Sequence, residues 1–264
     1  MQVSDEEKIW RYMDLAKFIS LLSREELYFA CPSEFGDPYE GLYPKSHMQA
    51  FSSLAQNHID QAIVTRDELI IRRPGIDALG LNKTIETMGA RLIEAHAEVR
   101  FKFGITCWHS NQTESEAMWK LYSTLGQGIA IESTSRRLED SLADKSSLQI
   151  DRVRYVDFEN DPIEKGHENY GLFLKRKSFE HERELRATIL LKEQGKGEFA
   201  KCNLDILIKK VHVSPFAPAY FKDVIDSLCG GRIRLLDKPI SKSSLFEVSS
   251  NDYALKLDMS GIKS

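Results

Sequence analysis

The sequence predicts an α+β protein in which small mixed or antiparallel sheets are flanked by helices. Three observations lead to this prediction. Short apolar segments bounded by turn residues, which are typical of strands, occur near both ends of the chain. A long block between them, from about 46 to 100, has helical character and few turn residues. Hydrophobic residues make up 42% and charged residues 29% of the 264 residues, which is ordinary for a globular protein that buries a core.

The first elements alternate between strand and helix. Residues 9–13 are predicted as a strand. Asp14 then caps a helix, because the following apolar residues recur at the spacing of one helical face, namely Leu15, Phe18, Ile19 and Leu22. Residues 27–30 are a second predicted strand. Residues 31–44 contain three prolines and two glycines and are predicted as a loop.

The long helical block is interrupted once, at Arg73-Pro74-Gly75, and is therefore predicted to form two helices. It has no other strong turn signal. We interpret the block from about 46 to 100 as a helical insertion or lid rather than an independent domain. Residues 1–264 are accordingly predicted to form a single domain.

The second half of the chain is predicted to alternate strands with short helices. Strands are predicted at 103–108, 128–132, 150–158, 183–191 and 204–214. A helix from Glu114 to about Ser123 is predicted because Thr113 and Glu116 have the spacing of a capping box. A further helix passes through Leu138 and Leu142, and a last one begins at Pro218.

Bulk properties narrow the functional classes. The net charge is -4 and no domain is strongly basic, so nothing indicates binding to duplex nucleic acid. The short basic run at Lys175, Arg176 and Lys177 is interpreted as a solvated strand entrance. The four cysteines lack metal-binding spacing, so no metal site is predicted. The N-terminus has no apolar signal segment and no apolar run is long enough to span a membrane, so a cytoplasmic location is expected.

Polar residues that could carry chemistry gather in three stretches. The first is the loop at 35–40, which holds two carboxylates, Asp37 and Glu40, and two aromatic residues. Asp37 could simply stabilise the turn before Pro38 by bonding nearby backbone. The loop could equally contribute to binding, because loops on rigid scaffolds often carry binding residues.

The second stretch joins a strand to a helix and contains Trp108, His109, Met118, Trp119 and Tyr122. Met118 and Trp119 are predicted to lie in the core. Tyr122 shares a helix face with Met118 and has a polar tip that a flat ring ligand could use. His109 could act as a general acid or base.

The third stretch leads into the strand at 183–191. If side chains alternate between the two faces of a sheet from Glu182 onward, Glu182, Glu184 and Arg186 point to one face. Leu185, Ala187 and Ile189 then point to the other face, which is expected to be core. The polar face could be a solvated surface or an ion-pair ladder with Lys175 or Lys177. Alternatively, the carboxylate pair could hold sugar hydroxyls and stabilise positive charge developing at an anomeric carbon.

Taken together, these motifs resemble the bacterial domain-of-unknown-function family 2971 over nearly the whole chain. The resemblance rests on the motifs Phe35-x-Asp37-Pro38-x-Glu40, Met118-Trp119-x-x-Tyr122 with Gly128, and Lys177-x-Phe179-x-x-Glu182-x-Glu184-x-Arg186. The family usually has Asn at the position of Gly36 and Trp at that of Phe179. Membership implies a bacterial protein without an established activity, with a possible role in toxin action or phage defence.

A more distant resemblance is to ADP-ribosyltransferases, which carry Arg or His on a first strand and Glu on a late strand. Arg11 and the Glu182-x-Glu184 pair match this order. The resemblance implies that NAD is a substrate and that Glu182, Glu184 and Arg186 form the catalytic group. Glu184 would stabilise the oxocarbenium ion and Glu182 would orient the acceptor.

The same resemblance implies that a nucleotide-type molecule lies across the central cleft. Arg11 would hold a phosphate or the nicotinamide ribose, and Tyr122 or Trp108 would stack on nicotinamide. The full set of expected NAD-binding residues is Arg11, Tyr12, Asp37, Trp108, His109, Trp119 and Tyr122.

Three functions therefore stay open at this point. The first is an NAD-consuming ADP-ribosyltransferase or glycohydrolase. The second is a metal-dependent phosphoesterase or nuclease that uses Asp37, Glu40, Glu182 and Glu184 as oxygen ligands. The third is a non-catalytic module that binds a ligand or a partner. The acceptor macromolecule of a transferase cannot be named from the sequence.

Overall fold

The computed structural model describes residues 3–123, 126–161, 170–234 and 236–248, and these residues form a mixed α+β fold. The strands are β1 (Lys8–Asp14), β2 (Glu26–Phe29), β3 (Phe103–Ser110), β4 (Gly128–Thr134), β5 (Gln149–Arg152), β6 (Arg154–Val156), β7 (Leu174–Arg176), β8 (Glu184–Leu190), β9 (Glu198–Lys201), β10 (Lys210–Val213) and β11 (Ile240–Lys242). The helices are α1 (Leu15–Arg24), α2 (Lys45–Arg72), α3 (Ala78–Lys102), α4 (Glu116–Tyr122), α5 (Ser135–Ser141), α6 (Leu204–Leu207) and α7 (Ala219–Cys229). Short 3₁₀ helices lie at Pro32–Glu34, Tyr170–Phe173 and Lys177–Glu182.

Seven strands form the central sheet, in the order β11-β10-β4-β1-β3-β8-β5. Its pairs are antiparallel except for β10 and β11, which are parallel. Two smaller sheets pair β2 with β9 and β6 with β7. The α+β class and the mixed strand directions are therefore as predicted, but the seven-stranded central sheet is larger than the small sheets expected.

The sheet has an apolar face and a face that carries charge. On the apolar face, Phe18 and Leu22 from α1 and Phe221 and Ile225 from α7 are buried in the main core. On the other face, α4 packs against β1 through a smaller cluster that includes Met118 and Trp119. Because side chains alternate along a strand, Glu184 and Arg186 lie on this second face, beside their cross-strand partners on β3.

The central sheet is split between β1 and β3. These strands pair only at Ile9 with Ser110 and at Trp10 with His109. Beyond that point β1 continues along β4, and β3 continues along β8. Ala30, just after β2, takes up the pairing with Ile105 instead. The separation leaves an opening in the middle of the sheet.

Most predicted elements are confirmed. Asp14 caps α1 by accepting a hydrogen bond from the Lys17 N–H at 2.8 Å. The long helical block is two helices that end and restart around Pro74, as predicted. None of the helices among the described residues is long and apolar enough to cross a membrane.

Three local predictions are wrong. Residues 204–214 are not one strand: Asn203 caps the short helix α6, and only the end of the segment forms β10. The helix predicted from Glu114 begins at Glu116, because Ser115 and not Thr113 provides the cap. The strand predicted at 150–158 is divided into β5 and β6, which belong to different sheets.

Candidate functional site

A cleft of about 670 Å³ enters the molecule at the split between β1 and β3. One wall comes from β1 and includes Arg11 and Tyr12, and the facing wall comes from β3 and includes Trp108 and His109. Further aromatic rings line it, namely Trp10, Tyr28, Phe35, Tyr122 and Phe199. A volume and lining of this kind are typical of small-molecule sites, in which apolar walls carry a few polar groups.

Five buried charged residues form a connected cluster at one end of the cleft. They are Glu40, Lys175, Glu182, Glu184 and Arg186. Lys175 Nζ lies 2.5 Å from Glu184 Oε1, 3.3 Å from Glu40 Oε1, and also contacts Glu182 Oε2. Arg186 Nε lies 2.6 Å from Glu184 Oε2, and its terminal nitrogen lies 2.9 Å from Glu40 Oε2. Three carboxylates thus share two cations.

A short stretch of chain brings most of this cluster together. Lys175 lies on β7, Glu182 ends the 3₁₀ helix, and Glu184 begins β8. Arg183 between the two glutamates has φ 42° and ψ 53°, the left-handed conformation. That turn changes the chain from helix to strand and lets both carboxylates reach the same lysine.

Two expectations for this stretch need correction. Glu182 is not part of the strand, so simple alternation does not explain why it lies near Glu184. The polar face is also not a solvated surface, because Lys175 is 6% exposed and Arg186 is fully buried. Of the predicted basic run at the strand entrance, only Lys177 is largely exposed, at 58% of its side chain. Of the two lysines that the ion-pair alternative names, Lys175 pairs with both glutamates, whereas Lys177 pairs with Asp161.

The two glutamates have opposite acidities. Burial, together with the contact with Glu184, raises the pKa of Glu182 to about 7, because Lys175 and Tyr122 offset only part of the increase. Burial alone would also raise the pKa of Glu184, but Arg186 and Lys175 lower it below the ordinary range. Glu184 is therefore ionised at neutral pH, whereas Glu182 can gain or lose a proton there.

This raised pKa makes stability depend on pH. The folded state holds the Glu182 proton more tightly than the unfolded state, so the stabilisation is complete at low pH and is lost as pH rises from about 4.5 through about 7. We expect Glu182→Gln, which cannot titrate, to gain stability relative to wild type across that window, by at most ~1.4 kcal/mol per pH unit. Urea unfolding over a pH series measures this. Glu180→Gln is the exposed control, and a difference that stays constant with pH would contradict the raised pKa.

Two tyrosines contact the glutamate pair, and one of them, Tyr122, also lines the cleft. Tyr122, which is partly exposed, donates its hydroxyl hydrogen to Glu182 Oε1 at 2.5 Å. Tyr155 accepts a hydrogen bond from the Glu184 N–H at 2.7 Å. A ligand that displaces or stacks on Tyr122 would therefore act directly on the protonation of Glu182.

His109 is a buried neutral side chain in the cleft wall. Its Nδ1 lies 2.6 Å from the carbonyl oxygen of Glu182, so Nδ1 carries the hydrogen and donates it. Burial lowers the pKa of His109, as do the nearby Arg183 and His181. Its Nε2 has no hydrogen-bond partner among the described residues. The ring is thus an available acceptor for a ligand N–H or O–H group.

Arg11 crosses the split in the sheet. Its guanidinium donates a hydrogen bond to Thr106 Oγ1 and lies 5.6 Å from the ring centroid of Trp108. Burial lowers the pKa of Arg11. Within the described parts of the chain no carboxylate pairs with it, although a desolvated charge normally requires a counter-ion. An anionic group of a ligand could fill that role.

The structure brings together seven of the predicted site residues in the cleft lining: Arg11, Tyr12, Trp108, His109, Tyr122, Glu182 and Glu184. Arg186 lies behind Glu184, in contact with it. Two residues lie elsewhere. Trp119 is fully buried beside Tyr12 and donates its indole N–H to Glu114, and Asp37 pairs with Arg176 at 2.9 Å while bonding the Tyr39 N–H.

Sequence reasoning missed Lys175 as a member of the site. Lys175 lies seven residues before Glu182 in the sequence, but the neighbouring Arg176 and Lys177 favour the interpretation of a solvated basic run. The sequence places Glu40 in a loop that contributes to binding or holds a metal, whereas the structure pairs it with Arg186. Among the described residues, no group of three or more His, Cys, Asp or Glu side chains is arranged to hold a metal ion.

The fold and the cleft define an α+β protein with an aromatic-lined pocket next to a buried charged cluster. Comparison with known proteins finds no matching family model, no similar curated protein and no similar solved structure. The resemblance to the domain-of-unknown-function family 2971 therefore stays a prediction, and function has to be argued from the cleft itself.

Proposed function

We propose that the cleft binds NAD and that the protein breaks the bond between nicotinamide and ribose, as a glycohydrolase or an ADP-ribosyltransferase. The observation that carries the proposal is the carboxylate pair in the cleft wall, with Glu184 ionised and Glu182 able to exchange a proton near neutral pH. An ionised carboxylate stabilises positive charge on a sugar, and a group with a pKa near 7 is an effective general base.

The remaining polar groups of the cleft support a dinucleotide ligand. Arg11 offers a guanidinium for the pyrophosphate, and Tyr122 or Trp108 offers a ring for nicotinamide. His109 Nε2 can accept a hydrogen bond from a ribose hydroxyl or the carboxamide. Each of these is a group that NAD needs and that apolar packing alone would not require.

In the proposed reaction, the bond between the nicotinamide nitrogen and C1′ of the ribose breaks, and the electron pair leaves with nicotinamide. The negative charge of Glu184 stabilises the oxocarbenium ion that remains. Water or an acceptor hydroxyl then attacks C1′, and ionised Glu182 takes the proton that the nucleophile loses.

The test is release of free nicotinamide from NAD by the purified protein. We expect release by the wild type and a rate at least ~100-fold lower for Glu184→Gln, the usual scale for removing one electrostatic stabiliser. Glu180→Gln, an exposed change in the same segment, should keep the wild-type rate. Equal rates for wild type and Glu184→Gln would remove Glu184 from the mechanism.

A non-catalytic ligand-binding module is the second candidate, and one observation favours it. Both oxygens of Glu184 already contact cations, so the cluster could serve only to hold β7, β8 and the loop of Glu40 together. If Glu184→Gln and Arg186→Met change stability but not the response to any nucleotide, this alternative holds.

The metal-dependent alternative gains no support from the geometry. Asp37 is paired with Arg176, and the other three proposed ligands are paired with Lys175 and Arg186. Cations already occupy the positions in which a carboxylate would hold Mg²⁺, so a metal would have to displace them.

A further inference from the structure

We propose that the hairpin of α2 and α3 is a self-association surface, through which two copies of the chain pack their hairpins into a four-helix bundle. The proposal is independent of any activity in the cleft.

The hairpin is a long antiparallel pair of helices with a defined register. Arg66 on α2 donates a hydrogen bond to Asn82 on α3 at 2.7 Å. Two helical turns further along, Gly89 lies against Ile59. A Cβ added at Gly89 would be 3.6 Å from Ile59 Cδ1. As position 66 faces 82 and 59 faces 89, the helices run in opposite directions. A polar pair inside such a seam fixes its register.

Helix α2 does not bury its apolar residues. All 28 residues of α2 are described, and none is buried. Ile59 and Ile63 face the seam and are only half-buried. In a bundle, a second layer of helices covers this kind of seam. A hairpin alone leaves it open on its sides.

Four other apolar side chains of the hairpin are exposed rather than half-buried. The exposed fractions are 56% for Leu54, 58% for Val64, 78% for Ile71 and 80% for Leu79. Val64 and Ile71 are seven residues apart and share a face of α2. Ile71 and Leu79 flank the turn between the helices and expose apolar surface at the hairpin tip. Single exposed apolar residues are normal, but a series along one projecting element indicates a binding surface.

The size of the surface suits a stable homodimer. At a rise of 1.5 Å per residue, α2 is ~42 Å long. Two helices, each ~10 Å wide and packed ~9 Å apart, present a face ~19 Å wide, which corresponds to roughly 800 Å². That is about the area that each partner contributes to a standard protein interface.

The charges of the hairpin favour a second copy over nucleic acid. On α2, three basic side chains (Lys45, Arg66, Arg72) are balanced by three acidic ones (Asp60, Asp67, Glu68). Two identical faces of this composition do not repel each other, whereas duplex nucleic acid requires a basic surface. A two-fold interface needs only one self-complementary patch, and it is the commonest arrangement of soluble oligomers.

The experiment is sedimentation velocity on the full chain at micromolar concentration. One chain weighs 30.2 kDa, and the wild type is expected to sediment at twice that mass. Val64→Glu/Ile71→Glu should be monomeric, because each copy would bury two unpaired charges. Glutamate has a higher helix propensity than valine or isoleucine, so the helices themselves should not weaken.

The control is Thr65→Glu/Thr87→Glu, which adds the same charge at exposed polar positions and should stay dimeric. Circular dichroism checks that each variant is folded, and Leu79→Glu on α3 provides a second dissociating change. A monomeric wild type would overturn the proposal, whether or not the hairpin binds another protein. A dimer that survives both apolar-to-glutamate variants would place the interface elsewhere and also overturn it.

Discussion

Arg186→Met is expected to lower the free energy of unfolding by about 3–5 kcal/mol, the cost of removing one partner from a buried ion pair. Arg186 is fully buried and neutralises both Glu184 and Glu40, which are buried too. It also donates a hydrogen bond to the Leu172 carbonyl oxygen at 2.8 Å, which the variant leaves without this donor. Urea unfolding at neutral pH measures the loss.

Two further variants make this expectation specific. Arg186→Met/Glu40→Gln should recover part of the lost stability, because it removes one of the stranded negative charges. Arg176→Met breaks the half-exposed pair with Asp37 and should cost much less. If Arg186→Met and Arg176→Met were equally mild, the charged cluster would not be an important source of stability.

Arg11→Met should weaken ligand binding without lowering the stability of the fold. Because Arg11 has no carboxylate partner among the described residues, its loss should leave the free energy of unfolding unchanged or raise it. If Arg11 holds a ligand phosphate, binding should weaken by about 10- to 100-fold, the range for a hydrogen bond to a charged group.

Calorimetric titration with ADP-ribose, which has no nicotinamide to lose, measures this without turnover. Arg136→Met is the control, since Arg136 pairs with Asp140 on the surface of α5. A large loss of stability with unchanged affinity would show that Arg11 supports the sheet rather than a ligand.

The sequence predicts well where local rules decide the structure. Asp14 followed by an apolar helical face predicts α1, and Pro74 with Gly75 predicts the division between α2 and α3. These signals depend only on neighbours along the chain, so no tertiary contact overrides them. Residues 204–208 show the opposite case, because their alternating apolar residues favour a strand. The structure has a helix there, which begins where the Asn203 side chain accepts hydrogen bonds from the Asp205 and Ile206 N–H groups.

The carboxylates of the candidate site and Arg186 are predictable from the sequence, but the burial of Lys175 and the pairing with Glu40 are not. The spacing of Glu182 and Glu184 pointed to a pair, although the left-handed Arg183, which brings them together, had no signal in the sequence. The burial of Lys175 depends on β6, on the 3₁₀ helix and on Glu40, which lies 135 positions earlier in the chain. Contacts between residues so far apart in the chain are not evident from one sequence, and without them a lysine in a basic run is expected to be exposed.

The split between β1 and β3 gives any occupant of the cleft a mechanical role. One half of the central sheet ends at β1 and the other begins at β3, and two residue pairs join them. A molecule that contacts Arg11 on β1 and His109 on β3 would connect the two halves of the sheet. Its departure would leave the two halves joined by two backbone pairs and by side-chain contacts such as that of Arg11 with Thr106, so occupation of the cleft would stiffen this joint.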